Sequence, residues 1–170
     1  NYRCPKPVAA LAKHVLGPLA NAMPNAKRAG APIKVAKYSE FAQAMLVLSD
    51  ELAELCYTEP KASIAVICKN QDNAQRIYSV LKNLQDSRLV LDGDFKFRPG
   101  IDVTTVRETK GLEFDYVIIP DATSHDYPDS PASRKMLHVA VTRTVHQCYL
   151  IAVGKLSPLV EGFDFAKTYS

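Results

Sequence analysis

Two arginines stand out in this sequence for what precedes them. Arg3 follows Tyr2 in Asn1-Tyr2-Arg3-Cys4-Pro5, and Arg143 closes the run Met136-Leu137-His138-Val139-Ala140-Val141-Thr142. A guanidinium is a permanently charged planar fork that grips a phosphate or carboxylate through two hydrogen bonds at once. At the end of so apolar a run Arg143 is expected to be half-buried and to need an anionic partner. That partner is a bound phosphate or, in the plainer reading, a structural Asp or Glu. The Tyr2 ring offers a flat face on which a nucleobase can stack, although a Tyr-Arg pair near a chain end is equally what an ordinary surface carries.

A second group lies in Thr104-Thr105-Val106-Arg107-Glu108-Thr109-Lys110-Gly111-Leu112-Glu113-Phe114-Asp115. The pattern is a strand, a polar turn and a further strand. Ligands of parallel sheets gather at the carboxyl ends of strands, and this turn is expected there, with the Arg143 helix and the first loop near the same ends. Gly111 would let the backbone approach a ligand closely, and the Glu113 carboxylate could accept a hydrogen bond from a ribose hydroxyl. The alternative is a solvated loop.

Other groups point to less. No GxxxxGK[ST] loop is present to cradle a β-phosphate and carry Mg²⁺. Val117-Ile118-Ile119-Pro120-Asp121 imitates a metal-holding strand, but its place makes it the ordinary strand after the turn, with Asp121 in a loop. His14, His125, His138 and His146 have no metal-ligand spacing, so no metal site is expected. Lys61, Lys69, Lys82 and Arg88 read as solvated charges. Cys4, Cys56, Cys68 and Cys148 match neither a CxxC pair nor a zinc site, and the last three sit in apolar segments. Buried free thiols in a reducing cytoplasm are expected.

The elements that must position these groups follow from periodicity. Val8, Leu11, Ala12 and Val15 make a helix that Gly17-Pro18 stops, and Ala20 to Gly30 reads as a loop. Ile33 to Tyr38 is a short strand. Ser39 is expected to cap a long helix with Phe41, Met45, Leu48, Leu52 and Leu55 on its inner face. Ser63 to Cys68 is a strand buried on both faces, and a helix with Ala74, Ile77, Tyr78, Leu81 and Leu84 inward follows. Further strands are expected at Asp102–Val106, Asp115–Ile119 and Cys148–Val153, with a helix from Ala132 to His146 between the last two. Asp92-Gly93-Asp94 and Arg98-Pro99-Gly100 mark turns of a small insertion near 86–100. Strands alternating with helices give an α/β fold: a mostly parallel sheet with helices on both faces.

The chain has 170 residues, just under half apolar and about a quarter charged, with a net charge of +3. One domain with a proper core is expected. So mild a charge permits phosphate contact without arguing for it. No apolar run approaches the ~20 residues that span a bilayer, so no membrane partner is expected. A start at Asn1-Tyr2-Arg3, without Met or a leader pattern, reads as a piece of a longer chain.

The three segments, in this order, resemble motifs of the UvrD/Rep/PcrA-like superfamily 1 helicases. Asn1 to Pro5 resembles motif IV (NYRS), Thr104 to Asp115 resembles motif V with its KGLEF hallmark, and Met136 to Thr144 resembles motif VI (LLYVALTRA). Ile64 to Asn70 and the helix after it are similar to a further strand and helix of the family. The resemblance implies that residues 1–170 are the second RecA-like motor domain, a P-loop NTPase fold without its own P-loop. It implies ATP and Mg²⁺ as cofactors, held mainly by an N-terminal RecA-like domain of the same protein, so that this chain alone would not hydrolyse ATP. Tyr2 would stack on adenine, Arg3 and Arg143 would be arginine fingers, and Glu113 with Gly111 would meet the ribose or sense the nucleotide. Thr104, Thr105 and Arg107 would contact single-stranded DNA, with a DNA-repair helicase in the cytoplasm as the setting. Arg107 stands where the family has His. Only about 100 residues separate motifs IV and V, leaving no room for a large accessory domain. The KGLEFD string is shared with the helicase-like RNA polymerase factor HelD, so a HelD-like remodeller with RNA polymerase as partner is one alternative. An inactive RecA-like scaffold is the other.

Overall fold

The structure is a computed structural model that describes residues 4–21 and 26–169. Tyr2, Arg3 and part of the Ala20–Gly30 loop lie outside these residues.

Six strands form one sheet: β1 (Lys34–Tyr38), β2 (Ser63–Cys68), β3 (Ser87–Leu89), β4 (Gly100–Thr105), β5 (Phe114–Ile119) and β6 (Thr144–Val153). Their order is β1-β6-β5-β2-β4-β3, and every neighbouring pair is parallel. A parallel sheet needs cover on both faces, and four helices supply it: α1 (Lys6–Leu16), α2 (Phe41–Thr58), α3 (Gln71–Leu81) and α4 (Pro131–Thr142). The strands show how. Ala65 and Ile67 of β2, with Val117 and Ile119 of β5, join Val8, Leu11, Leu137 and Val141 of α1 and α4. The alternate residues Ile64, Val66, Cys68 and Ile118 join Met45, Leu48, Leu52 and Ile77 of α2 and α3. Successive side chains on a strand point to opposite faces, so continuous apolar runs are what two buried faces demand. The α/β expectation of a parallel sheet with helices on both faces is the fold observed.

Several expectations shift. Ser39 does not cap α2; the capping position is Glu40, and no side chain bonds the first turn. The cap of α3 is Asn70, which accepts from the Asn73 amide at 2.9 Å, and Leu84 lies beyond that helix. The helix expected to run to His146 ends at Thr142. Thr144 pairs with Phe114 at the start of β6, so sheet pairing overrides the helical pattern there. The 86–100 stretch contains the edge strand β3 as well as turns. Arg88 in it is no solvated charge: its Nε donates to Asp102 at 2.9 Å, with the two side chains only 12% and 8% exposed. Its remaining donors go to the carbonyls of Arg98 and Pro99.

Candidate functional site

Because all six strands run the same way, the sheet has an amino edge, where strands begin, and a carboxyl edge, where they end. The candidate residues divide between them. Thr105 ends β4, and a 3₁₀ turn over Val106–Thr109 follows it, so Thr104, Thr105 and Arg107 lie at the carboxyl edge. The chain then crosses the sheet, and Glu113 immediately precedes β5. Arg143 immediately precedes β6. Phe114 pairs with Thr144, so Glu113 and Arg143 sit side by side at the amino edge. The expectation that the whole turn and the Arg143 helix lie at carboxyl ends is therefore corrected. A parallel strand that follows a turn must start from the opposite edge, and α4 delivers Arg143 to that edge too.

At the amino edge Arg143 pins the turn twice. Its carbonyl accepts from the Phe114 amide at 2.8 Å, and its Nη1 donates to the Leu112 carbonyl at 3.3 Å. Nε donates to the Val139 carbonyl at 3.1 Å and Nη2 to the Thr142 hydroxyl at 3.2 Å. All of these are neutral dipoles. Among the described residues Arg143 has no carboxylate partner, so the structural ion pair weighed from the sequence is not what holds it. It is half-buried, as its apolar run implies.

Cys4 joins the same corner. Its thiol lies 3.4 Å from the Thr142 carbonyl. Burial pushes its pKa up to about 11, opposed by the positive charge of Arg143 and reinforced by Glu113. Cys4 thus lies close to the other two segments, a juxtaposition the sequence shows only as order along the chain. Burial also lowers the pKa of the neighbouring His138, whose Nδ1 meets the Ala12 carbonyl; the Arg143 charge acts in the same direction. Glu113 is exposed. Gly111 has φ +79°, and a Cβ there would meet nothing within 4 Å. The glycine is required by the backbone's hand, since side chains avoid positive φ.

At the carboxyl edge Thr104 is fully buried and its hydroxyl donates to the Val90 carbonyl at 2.6 Å. That hydrogen bond ties the end of β4 to the segment that follows β3. Thr105 is buried at the strand end, whereas Arg107 is exposed and has no side-chain partner among the described residues.

A second group at this edge was not legible from spacing. Asp121 follows β5 and is 7% exposed. Its Oδ2 accepts from the Lys69 amide at 2.7 Å and from Asn73 Nδ2 at 2.9 Å, while Oδ1 has no partner among the described residues. Burial raises its pKa to about 6 against those two bonds, with Asp126 adding to the rise. The only signal in the sequence was an Asp at a strand end.

No three His, Cys, Asp or Glu side chains converge on a metal-sized site among the described residues. No helix of the structure is long and apolar enough to cross a membrane. Cys4, Cys56, Cys68 and Cys148 are all free, and Cys56 is only partly buried.

Residues 100–151 match the family described as the UvrD-like helicase C-terminal domain. This span begins at β4 and reaches into β6, so it contains both the crossing turn and Arg143. A crystal structure of the C-terminal domain of a possible DNA helicase from Lactobacillus plantarum superposes with a TM-score of 0.80 at 25% identity. The match covers 96% of this chain and 94% of that one. The C-terminal domain of the DEAD-box protein Dbp5 matches at a TM-score of 0.51 and 16% identity, over 72% of this chain and 77% of that one, a likeness of fold alone. No curated protein matches the chain.

Proposed function

We propose that this UvrD-like helicase C-terminal domain is the second motor half of an ATP-dependent DNA helicase or translocase. The amino edge faces ATP and Mg²⁺ held by a first RecA-like domain of the same protein, and the carboxyl edge faces single-stranded DNA. The observation that carries this reading is the state of Arg143. Among the described residues its half-buried guanidinium is held by two carbonyls and a hydroxyl, with no carboxylate at ion-pair distance, and the exposed Glu113 precedes the neighbouring strand. Such a cation suits the γ-phosphate, whose charge spreads over its outer oxygens in the transition state. Arg3, one residue before Cys4, is the second finger, and Tyr2 stacks on the adenine. Glu113 accepts from the ribose, and Gly111 allows the turn to reach it.

At the other edge Arg107 is the phosphate contact, with Thr105 beside it. A point charge there fixes position along the strand without reading sequence. Thr104 is left out, because its hydroxyl is committed inside the sheet.

The test is ATP turnover by the full-length protein. Arg143→Ala is expected to lower kcat by on the order of 10³-fold, with single-strand binding retained. Arg143→Lys should recover little, because an ammonium lacks the planar fork. An Arg143→Ala protein that melts several degrees lower yet turns over ATP at the parent rate would return Arg143 to a purely structural role.

A further inference from the structure

Between β5 and α3 the carboxyl edge opens into a cleft of about 320 Å³, small among ligand clefts, which run to about 300–1,000 Å³. Its floor has an uncommon polarity. Asn73 Nδ2 donates to Asp121 Oδ2 at 2.9 Å and to Asp126 Oδ1 at 3.1 Å. Both neighbours are acceptors, so the amide nitrogen must face them and the Asn73 carbonyl oxygen faces away. Asp126 is held on its other side by the Thr123 hydroxyl, which donates to Oδ2 at 3.1 Å and accepts from the Asp126 amide. Asn73 and Thr123, the side-chain donors beside the two carboxylates, are thus committed to them. Asp121 adds a further acceptor, Oδ1, buried and unpartnered beneath.

The rim has the opposite character. Arg76 is exposed, its guanidinium 3.7 Å from the centre of the Phe41 ring, and Lys155 is exposed on the far side. Acceptors inside and cations outside call for a ligand with donors on its inner part and anions on its outer part. A nucleotide whose base bears an exocyclic amine has that form. The cleft also lies along the line taken by the carboxyl ends of β4, β2, β5 and β6, the line that begins at Arg107.

We infer that this cleft holds one base of the bound single strand and favours a base carrying an exocyclic amine over one that presents only carbonyls and a ring N–H. The inference rests on the strand reading above. Asp126, fixed by Asn73 and Thr123, accepts from the amine, as carboxylates do from cytosine N4, while Arg76 and Lys155 take the flanking phosphates.

The test compares oligo(dC) and oligo(dT) of equal length, titrated against the full chain at neutral pH and low salt. Oligo(dC) is expected to bind about fivefold tighter or more. Asp126→Asn, isosteric and partly exposed, places an amide in the floor and should abolish or reverse that preference while affinity for oligo(dT) holds. Arg107→Ala should weaken both strands alike. Equal affinity of the parent for the two strands overturns the base preference and leaves strand binding intact. Failure to bind either strand overturns the strand reading itself.

Discussion

Asp121 shows how a single carboxyl can make the whole fold sensitive to pH. Its ordinary value is 3.8, and burial raises it to about 6 although two donors favour the charged form. A carboxyl whose folded pKa lies above its unfolded one binds its proton more tightly in the folded state. Its stabilising contribution is therefore complete below about 3.8 and disappears as pH rises through about 6. A shift of this size is worth on the order of 3 kcal/mol. Asp121→Asn removes the titration, so its melting temperature should gain on the parent's as pH climbs across that window. Parallel melting curves for the two proteins across the window would mean that Asp121 is not shifted. The sequence placed this residue correctly in a loop after β5, but not its burial. Burial depends on α3 and the Thr123–Asp126 loop closing over it, contacts made across about 50 positions of chain. Arg88 was misjudged for the same reason, since its partner Asp102 comes from a neighbouring strand.

At the level of elements, local pattern served well wherever one face had to be apolar. The α1, α2 and α3 stripes and the two-faced strands were legible because burial imposes their period. Patterning failed where pairing decides. The run into His146 keeps a helical look, yet Thr144 onward is drawn into the sheet beside Phe114. β3, three residues long and at the edge, is too short to carry a period at all. The crossing turn is the element most exposed to substitution. Gly111 sits at φ +79° with open space where a Cβ would go, so any penalty there comes from the backbone alone. Gly111→Ala should cost about 1–3 kcal/mol, which is a fall of about 2–4 °C per kcal/mol for a chain of this size. Gly111→Asn should cost less, because Asn tolerates that region better than Ala. An Ala variant as stable as the parent, or an Asn variant worse than Ala, would contradict a left-handed residue at this point.

For the molecule as a whole, sequence order could name three segments but could not say on which side of the sheet each would act. The answer depends on strand direction and register, which are properties of the assembled sheet. On the proposed function the domain has two working edges, and its described residues alternate between them along the chain: Cys4 at the amino edge, Arg107 at the carboxyl edge, then Glu113 and Arg143 back at the amino edge. On that proposal a signal between bound DNA and nucleotide must pass along the strands of the sheet or along the connection from β4 to β5.

That connection is tied to itself along most of its length. From Thr105 to Phe114 the chain descends the height of about six strand residues, about 20 Å. It does so through the 3₁₀ turn over Val106–Thr109 and then a tight turn in which the Leu112 amide donates to the Thr109 carbonyl at 2.9 Å. The buried Thr109 hydroxyl donates to the Val106 carbonyl at 2.7 Å and fastens the first turn. A cord so closely tied moves as a unit, and it hands a displacement on. If a strand draws Arg107 outward, the pull arrives at Glu113 and at the Leu112 carbonyl, which Arg143 grips. One extra glycine placed after Lys110 would loosen the cord while sparing both ends. Basal ATP turnover of the full-length protein should then survive while its acceleration by single-stranded DNA falls away. Undiminished acceleration would mean that the two edges communicate through the sheet itself.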